Sequence, residues 1–266
     1  MGSRHRQEAS EYGKRDGILA LCVWLGYVII ISVYVAIMNR INMSWYVHDI
    51  IVIIFLSLLV VGIFIVVKIR KQRLASIGFH KENFGKAIGL GFLLSLIPIG
   101  FLAIVPGIVN GFNDVDILGL LFALITTFFF AAHEDVIFVG FIQTRLYGLF
   151  KTHIVAIFVG AILFAIMHIP PWIINGRLDL GQPLVIVQAF MAWVVLHVVF
   201  VSVFKKYFSI VPVFIFHTLW NFSFNFAQME GTIDFSIISI ILAVLAACSL
   251  YWQSYKRKKY VRTPST

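Results

Sequence analysis

The sequence predicts an all-α, polytopic membrane helix bundle of about eight transmembrane helices with both termini cytoplasmic. Three observations lead there. Of 266 residues, 61% are hydrophobic and 12% charged, against roughly 25% charged and 45–50% apolar in ordinary globular domains. Apolar runs recur at about the 20-residue length that a helix needs to cross a hydrocarbon core roughly 30 Å thick. All but two of the 21 lysines and arginines fall on one side of the resulting layout, as they do in cytoplasmic loops.

The first run, 17–38, follows Arg4, Arg6, Lys14 and Arg15. It is longer than the roughly 7–15-residue core of a signal peptide, so it is expected to stay attached as a span. Further runs lie at about 47–67, 87–109, 117–150, 154–174, 184–204, 208–227 and 235–255. This divides the chain into a cytoplasmic tail (1–16), a single membrane domain (17–255) and a basic cytoplasmic tail (256–266). Lysines and arginines crowd the tails, the connection 68–86, the end of the fourth span (Arg145, Lys151) and the end of the sixth (Lys205, Lys206). Only Arg40 and Arg177 fall on the other face. The net charge of +9 therefore reads as orientation signal and attraction to anionic lipid headgroups; no nucleic-acid motif accompanies it.

The stretch LASIGFHKENFGKA, 74–87, mixes apolar and basic residues; it is expected to form an amphipathic segment at the interface, a solvated loop being the alternative. Cys22 and Cys248 sit in apolar runs near opposite ends of the chain. They supply no disulfide framework and no C-x-x-C site, and read as small core hydrophobes. Neither end carries a lipidation motif.

Polarity at membrane depth locates the chemistry. Glu134 and Asp135 lie deep in the fourth span, within FFFAAHEDVIFVGF. An ionisable group there costs about 2.5–3.5 kcal/mol on insertion scales, so both should face the bundle interior or a wet cavity. In the fifth span Phe164 and His168 are four apart, on one helical face. His168 lies about 20 Å from the cytoplasmic start of its span, and Pro170 and Pro171 are expected to break the helix just beyond it. In the seventh, His217, Asn221 and Asn225 repeat every four residues and draw one polar stripe. Interhelical hydrogen-bonding is the simpler role for Asn225, and His197 of the sixth span reads as structural. A carboxylate can act as general base toward water, and imidazole and carboxamide donors can hold a developing oxyanion. Such a set suits hydrolysis.

His133-Glu134 begins like the zinc motif H-E-x-x-H, but the second histidine position holds Ile137, so that motif is absent. Two imidazoles and a carboxylate remain a known metal ligand set, which leaves a metal at Glu134, His168 and His217 open.

Glu134-Asp135 through Gly140, Phe164-x-x-x-His168 and His217-x-x-x-Asn221 resemble, in order, the EExxxR, FxxxH and HxxxN motifs of the CAAX protease and bacteriocin-processing (Abi) family of intramembrane glutamic endopeptidases. The resemblance covers about 120–227. It implies that Glu134 activates a water, that His168 assists it or binds the peptide, and that His217 with Asn221 forms the oxyanion site. No cofactor is implied, and the implied partners are membrane lipid and a membrane-associated peptide or protein substrate. Family members trim prenylated tails or act in bacteriocin maturation and self-immunity.

The resemblance departs at its first motif, where Asp135 replaces the second glutamate and Val139 the arginine. In an α-helix these two positions are neighbours on one face, with Glu134 about 100° away. An acid–base pair has thus become a shorter acid beside an apolar residue. Asp135 then needs a polar partner on a facing helix, or a proton; Arg145, about 15 Å further along, is too far to substitute. Two readings follow: an active protease with a remodelled support, or a binding or self-immunity protein on the same fold. A proton-coupled transporter would also bury carboxylates and histidines, but the two halves of the chain lack the matched broken helices of that class.

Overall fold

The computed structural model describes residues 12–114, 116–150 and 152–226. The expected eighth span at 235–255, Cys248 and the basic tail 256–266 lie outside the described residues. Seven helices run through the described part: α1 (Lys14–Met38), α2 (Trp45–Ile69), α3 (Phe84–Asn110), α4 (Ile117–Leu146), α5 (His153–Ile174), α6 (Pro183–Tyr207) and α7 (Val211–Ser223). The first six are long and apolar enough to cross a membrane. Their outer faces carry exposed Ile29, Leu58, Val109 and Leu184, as suits helices bathed in hydrocarbon. The chain is an all-α membrane helix bundle with six to seven long apolar helices, consistent with a multi-pass integral membrane protein.

Expected and observed spans agree to within a few residues at most ends, because a charge or turn residue stops each run. Asp116 caps α4, its side chain accepting from Gly119 N–H at 2.6 Å, which satisfies one of the orphan donors of a helix start. α7 is shorter than the run that predicted it and ends at Ser223.

Two helices are interrupted inside the membrane. α3 passes through a π-turn at Ile99–Ile104 after Pro98, and α4 through one at Asp135–Ile142. In the second, all eight residues are buried. The i→i+5 pattern overturns the α-helical register expected for Asp135: its carbonyl oxygen lies beside Gly140, where an added Cβ would stand 3.5 Å from it and 2.9 Å from the Ile77 carbonyl oxygen. Gly140 is what lets the chain at Ile77 approach α4 this closely.

The expected interfacial segment at 74–87 is overturned as well. Leu74–Ile77 forms a 3₁₀ turn tucked into the bundle end, with Ser76 and Ile77 buried. Buried Arg145 holds it, donating to Ser76 O (3.3 Å), Ser76 Oγ (2.9 Å), Gln72 Oε1 (2.6 Å) and Gly140 O (3.3 Å). Tyr12 O–H donates to the same Ser76 carbonyl at 3.3 Å, and Arg70 pairs with Asp16 at 3.0 Å. Polar atoms of the connection, otherwise orphaned at the end of an apolar bundle, are satisfied by this one guanidinium.

Two further expectations are corrected. Pro170 and Pro171 do not end α5, which continues to Ile174; prolines remove only two donors, and Asn175 N–H closes the last turn on Pro171 O at 2.9 Å. Cys22 is exposed on the outer face of α1, since in lipid an apolar side chain gains nothing by facing inward.

Candidate active site

The π-turn begins at the residue after Glu134, so Glu134 and Asp135 leave the helix on the winding change itself. Such π-bulges occur often at functional sites. Asp135 is fully buried, while the Glu134 side chain keeps 14% exposure. That difference separates their roles: one supports, the other meets the cavity.

His168 of α5 and His217 of α7 converge on one oxygen. His168 Nε2 and His217 Nε2 each lie 3.8 Å from Glu134 Oε2. The opposite nitrogen of each ring is occupied. His168 Nδ1–H donates to the Phe164 carbonyl at 2.8 Å, and His217 Nδ1–H donates to Asp135 Oδ1 at 3.1 Å. A carbonyl only accepts, so His168 in its neutral form turns the bare Nε2 lone pair toward Glu134. A separation of 3.8 Å is too long for a direct hydrogen bond and suits one bridging water.

Rings fix the imidazoles in place. His168 stacks on Trp193 of α6 at 4.6 Å between centroids and meets the edge of Phe164 at 4.7 Å. His217 leans on Phe200 at 4.5 Å. Phe164 is buried and also touches Phe138 and His197, so this candidate supporting residue acts by packing the Nδ1–carbonyl turn of His168. His197 donates to Gln143 Oε1 at 3.1 Å in the core, in keeping with a structural role. Asn221 stands one turn beyond His217 on α7, half buried, with no hydrogen bond to its carboxamide among the described residues.

Glu134 and His168 line a cavity of about 460 Å³. Its other walls include Tyr27 and Tyr34 of α1, Met167 and Trp172 of α5 and, further out, Asn175 and Arg177. Tyr27 O–H donates to His133 Nε2 at 2.8 Å, while His133 Nδ1–H donates to Phe129 O at 3.2 Å. Both His133 nitrogens are thereby engaged away from Glu134, and His133 serves as wall.

Glu134, Asp135, His168 and His217, chosen from sequence, are thus brought together, with Phe164 directly behind. Sequence reasoning missed Tyr27, Trp193 and the His217–Asp135 contact. Adjacency of His133 to Glu134 hinted at the first; nothing in a single sequence announces the other two, because each joins helices far apart in the chain. The set Glu134, His168 and His217 has the chemistry of a metal ligand set, yet both nitrogens stand 3.8 Å from the oxygen with their second nitrogens hydrogen-bonded. That arrangement suits a water as well.

Residues 116–223 match the family model described as Type II CAAX prenyl endopeptidase Rce1-like. The matched stretch runs from the cap of α4 to the end of α7 and contains all six candidate site residues. No curated protein matches the chain, and no solved structure does.

Proposed function

We propose, on the match of residues 116–223 to a CAAX-protease clan model, that the chain is an intramembrane endopeptidase that hydrolyses a peptide bond of a membrane-associated peptide or protein with a Glu134-activated water. The supporting observation is the convergence of two imidazole Nε2 atoms from separate helices on one carboxylate oxygen at the floor of a cavity.

The water sits between Glu134 Oε2 and the two rings. Glu134 takes its proton as the oxygen attacks the scissile carbonyl, and His168 Nε2 accepts the second hydrogen bond and orients the attacking lone pair. As the oxyanion forms, His217 carries a proton on Nε2 and donates it toward the negative charge; the Asp135 carboxylate at Nδ1 stabilises the imidazolium, as the acid of a serine-protease triad does for its histidine. The Asn221 carboxamide supplies a second donor. Glu134 then passes its proton to the leaving amine. Asp135 in this scheme does work that needs no arginine at position 139, so the departure from the family motif is compatible with turnover.

A second reading, a catalytically inactive binding or self-immunity protein, is favoured by the same Asp135/Val139 departure. Glu134→Gln separates the two. Membrane and secreted peptides are compared between cells carrying the wild type and cells carrying the variant at equal abundance. The hydrolytic reading expects a precursor to accumulate with the variant; full cellular function and an unchanged peptide profile would sink it.

A further inference from the structure

At the end of the bundle where α2 stops there is a second hollow, of about 440 Å³, lined by Phe64, Val67, Lys68, Lys71, Gln72 and Leu74. It shares no lining residue with the Glu134 cavity. Phe64, Val67, Lys68 and Lys71 recur at spacings of three and four along and just past the end of α2, and so share one face. Phe64 stands about 6 Å below Lys68 along the helix axis, toward the membrane interior. The hollow is therefore charged at its rim and apolar beneath. Val67 is fully buried at its back, and Phe64 is half-buried, meeting the Phe79 ring edge-on at 5.6 Å. Ile65 and Ile69 beside it are exposed, as on the other outer faces of the bundle.

The backbone singles out one of the two lysines. α2 closes in a Schellman turn, Gln72 N–H donating to Val67 O and Lys71 N–H to Lys68 O, both at 2.9 Å. Lys71 sits at the left-handed position of that turn, with φ +54°. Glycine takes this conformation freely, and a residue with a Cβ does not. Strained positions of this kind cluster at ligand sites, and the residue held here is a cation. Neither Lys68 nor Lys71 pairs with a carboxylate among the described residues. Asp16, the acid at this end of α1, already accepts from Arg70 at 3.0 Å and from Gln72 at 3.3 Å. Two exposed ammonium groups thus flank one hollow with no counter-charge from the described fold.

We infer that this hollow binds an anionic phospholipid, its phosphate between Lys68 and Lys71 and an acyl chain running down over Phe64. A soluble phosphate would have no use for the apolar floor, and a neutral lipid none for the two lysines. The wall of the hollow belongs to a network that joins three helices: Gln72 accepts from Arg145 of α4 at 2.6 Å and donates to Asp16 of α1 at 3.3 Å. A lipid bound here recognises the assembled bundle and stabilises it by mass action. The inference is independent of the hydrolytic reading of Glu134, because binding is measured without turnover.

The test uses the full chain in a neutral detergent. Thermal unfolding is followed with added phosphatidylglycerol, with phosphatidylcholine, and with glycerol phosphate as the free headgroup. Phosphatidylglycerol should raise Tm by about 5 °C near saturation, and the other two should leave it unchanged. Lys68→Gln combined with Lys71→Gln should abolish the shift. Lys81→Gln combined with Lys86→Gln removes the same charge from the same connection and should preserve it. Lys71→Gly is the sharper variant, because glycine relieves the turn. Its Tm without lipid should hold or rise, while the lipid concentration giving half the shift should increase about tenfold, the loss of one charge-assisted contact. Lys71→Gly decides the matter should the double variant fail to fold. An equal shift with phosphatidylcholine, a shift with glycerol phosphate alone, or equal loss in the Lys81/Lys86 pair overturns the inference. So does a shift that survives in the Lys68/Lys71 pair or is unaltered in Lys71→Gly; the lysines would then serve only the carbonyl end of α2.

Discussion

His217 Nδ1 lies 3.1 Å from Asp135 Oδ1, joining α7 to the first residue of the π-turn in α4. Asp135 is therefore tied to Glu134 through the imidazole that faces both. Its partner comes from a facing helix, as its burial requires.

This contact makes the two residues a unit. Asp135→Ala and His217→Ala should each lower kcat by about a hundredfold or more, and the double variant should fall only slightly below the worse single one, because residues acting together are non-additive. Steady-state kinetics on the four proteins checks it; multiplicative losses would show that the contact is incidental. Asp135→Asn, which keeps an acceptor for Nδ1–H but not the charge, should fall between.

Asn221 has an unspent carboxamide one turn from His217. As an oxyanion donor it should cost about 10²–10³ in kcat when replaced by alanine, with KM little changed. Asn225 bonds to backbone oxygens of its own turn, at 3.1 Å to Phe222 O, and Asn225→Ala should change kcat by no more than a few-fold. A loss in KM alone for Asn221→Ala would move this residue from the reacting oxygen to the peptide.

Under the proposed mechanism, in which Glu134 and two imidazoles hold the water, metal removal should leave turnover unchanged. Activity is followed during dialysis against a strong chelator and then on addition of zinc. Loss on chelation with recovery on zinc would reassign Glu134, His168 and His217 as ligands.

Arg145 is a structural cation. Arg145→Met removes its donors from Ser76, Gln72 and Gly140 and leaves buried acceptors unpaired, a loss of roughly 3 kcal/mol or more. Thermal unfolding in detergent should show a clear drop in Tm, while KM of the surviving folded fraction stays close to that of the wild type.

Gly160 of α5 faces Gln143, whose Oε1 would lie 2.1 Å from an added Cβ, with His197 Nε2 at 3.3 Å. Gly160→Ala should therefore displace the Gln143–His197 bond and destabilise the bundle by about 1–3 kcal/mol. Gly62 meets nothing within 4 Å, and Gly62→Ala serves as the neutral control in the same melt.

Much of this was legible in the sequence. Helix positions follow from apolar runs broken by charge, and Glu134, His168 and His217 stand out because polarity at membrane depth is costly and is kept for use. What escaped has a common cause. The π-turn at Asp135–Ile142 and the burial of Leu74–Ile77 are outcomes of packing between distant segments, and an α-helical wheel drawn on Asp135 and Val139 could not reveal them. Continuation of α5 past Pro170 is likewise a matter of the neighbours that hold its last turn. Cys22 misled because in lipid an apolar residue marks neither inside nor outside.

The tucked turn at Leu74–Ile77, with Arg145 beneath it, has a consequence for the cell as a whole. A hydrolase needs water at its floor, and water in a membrane is a leak for ions and protons. Ile77, Phe141 and Leu146 are buried in the core, and none of them lines the cavity that Glu134 lines. If the proposed hydrolysis takes place, a core closed by these residues would let a membrane host it without discharging its own electrical potential.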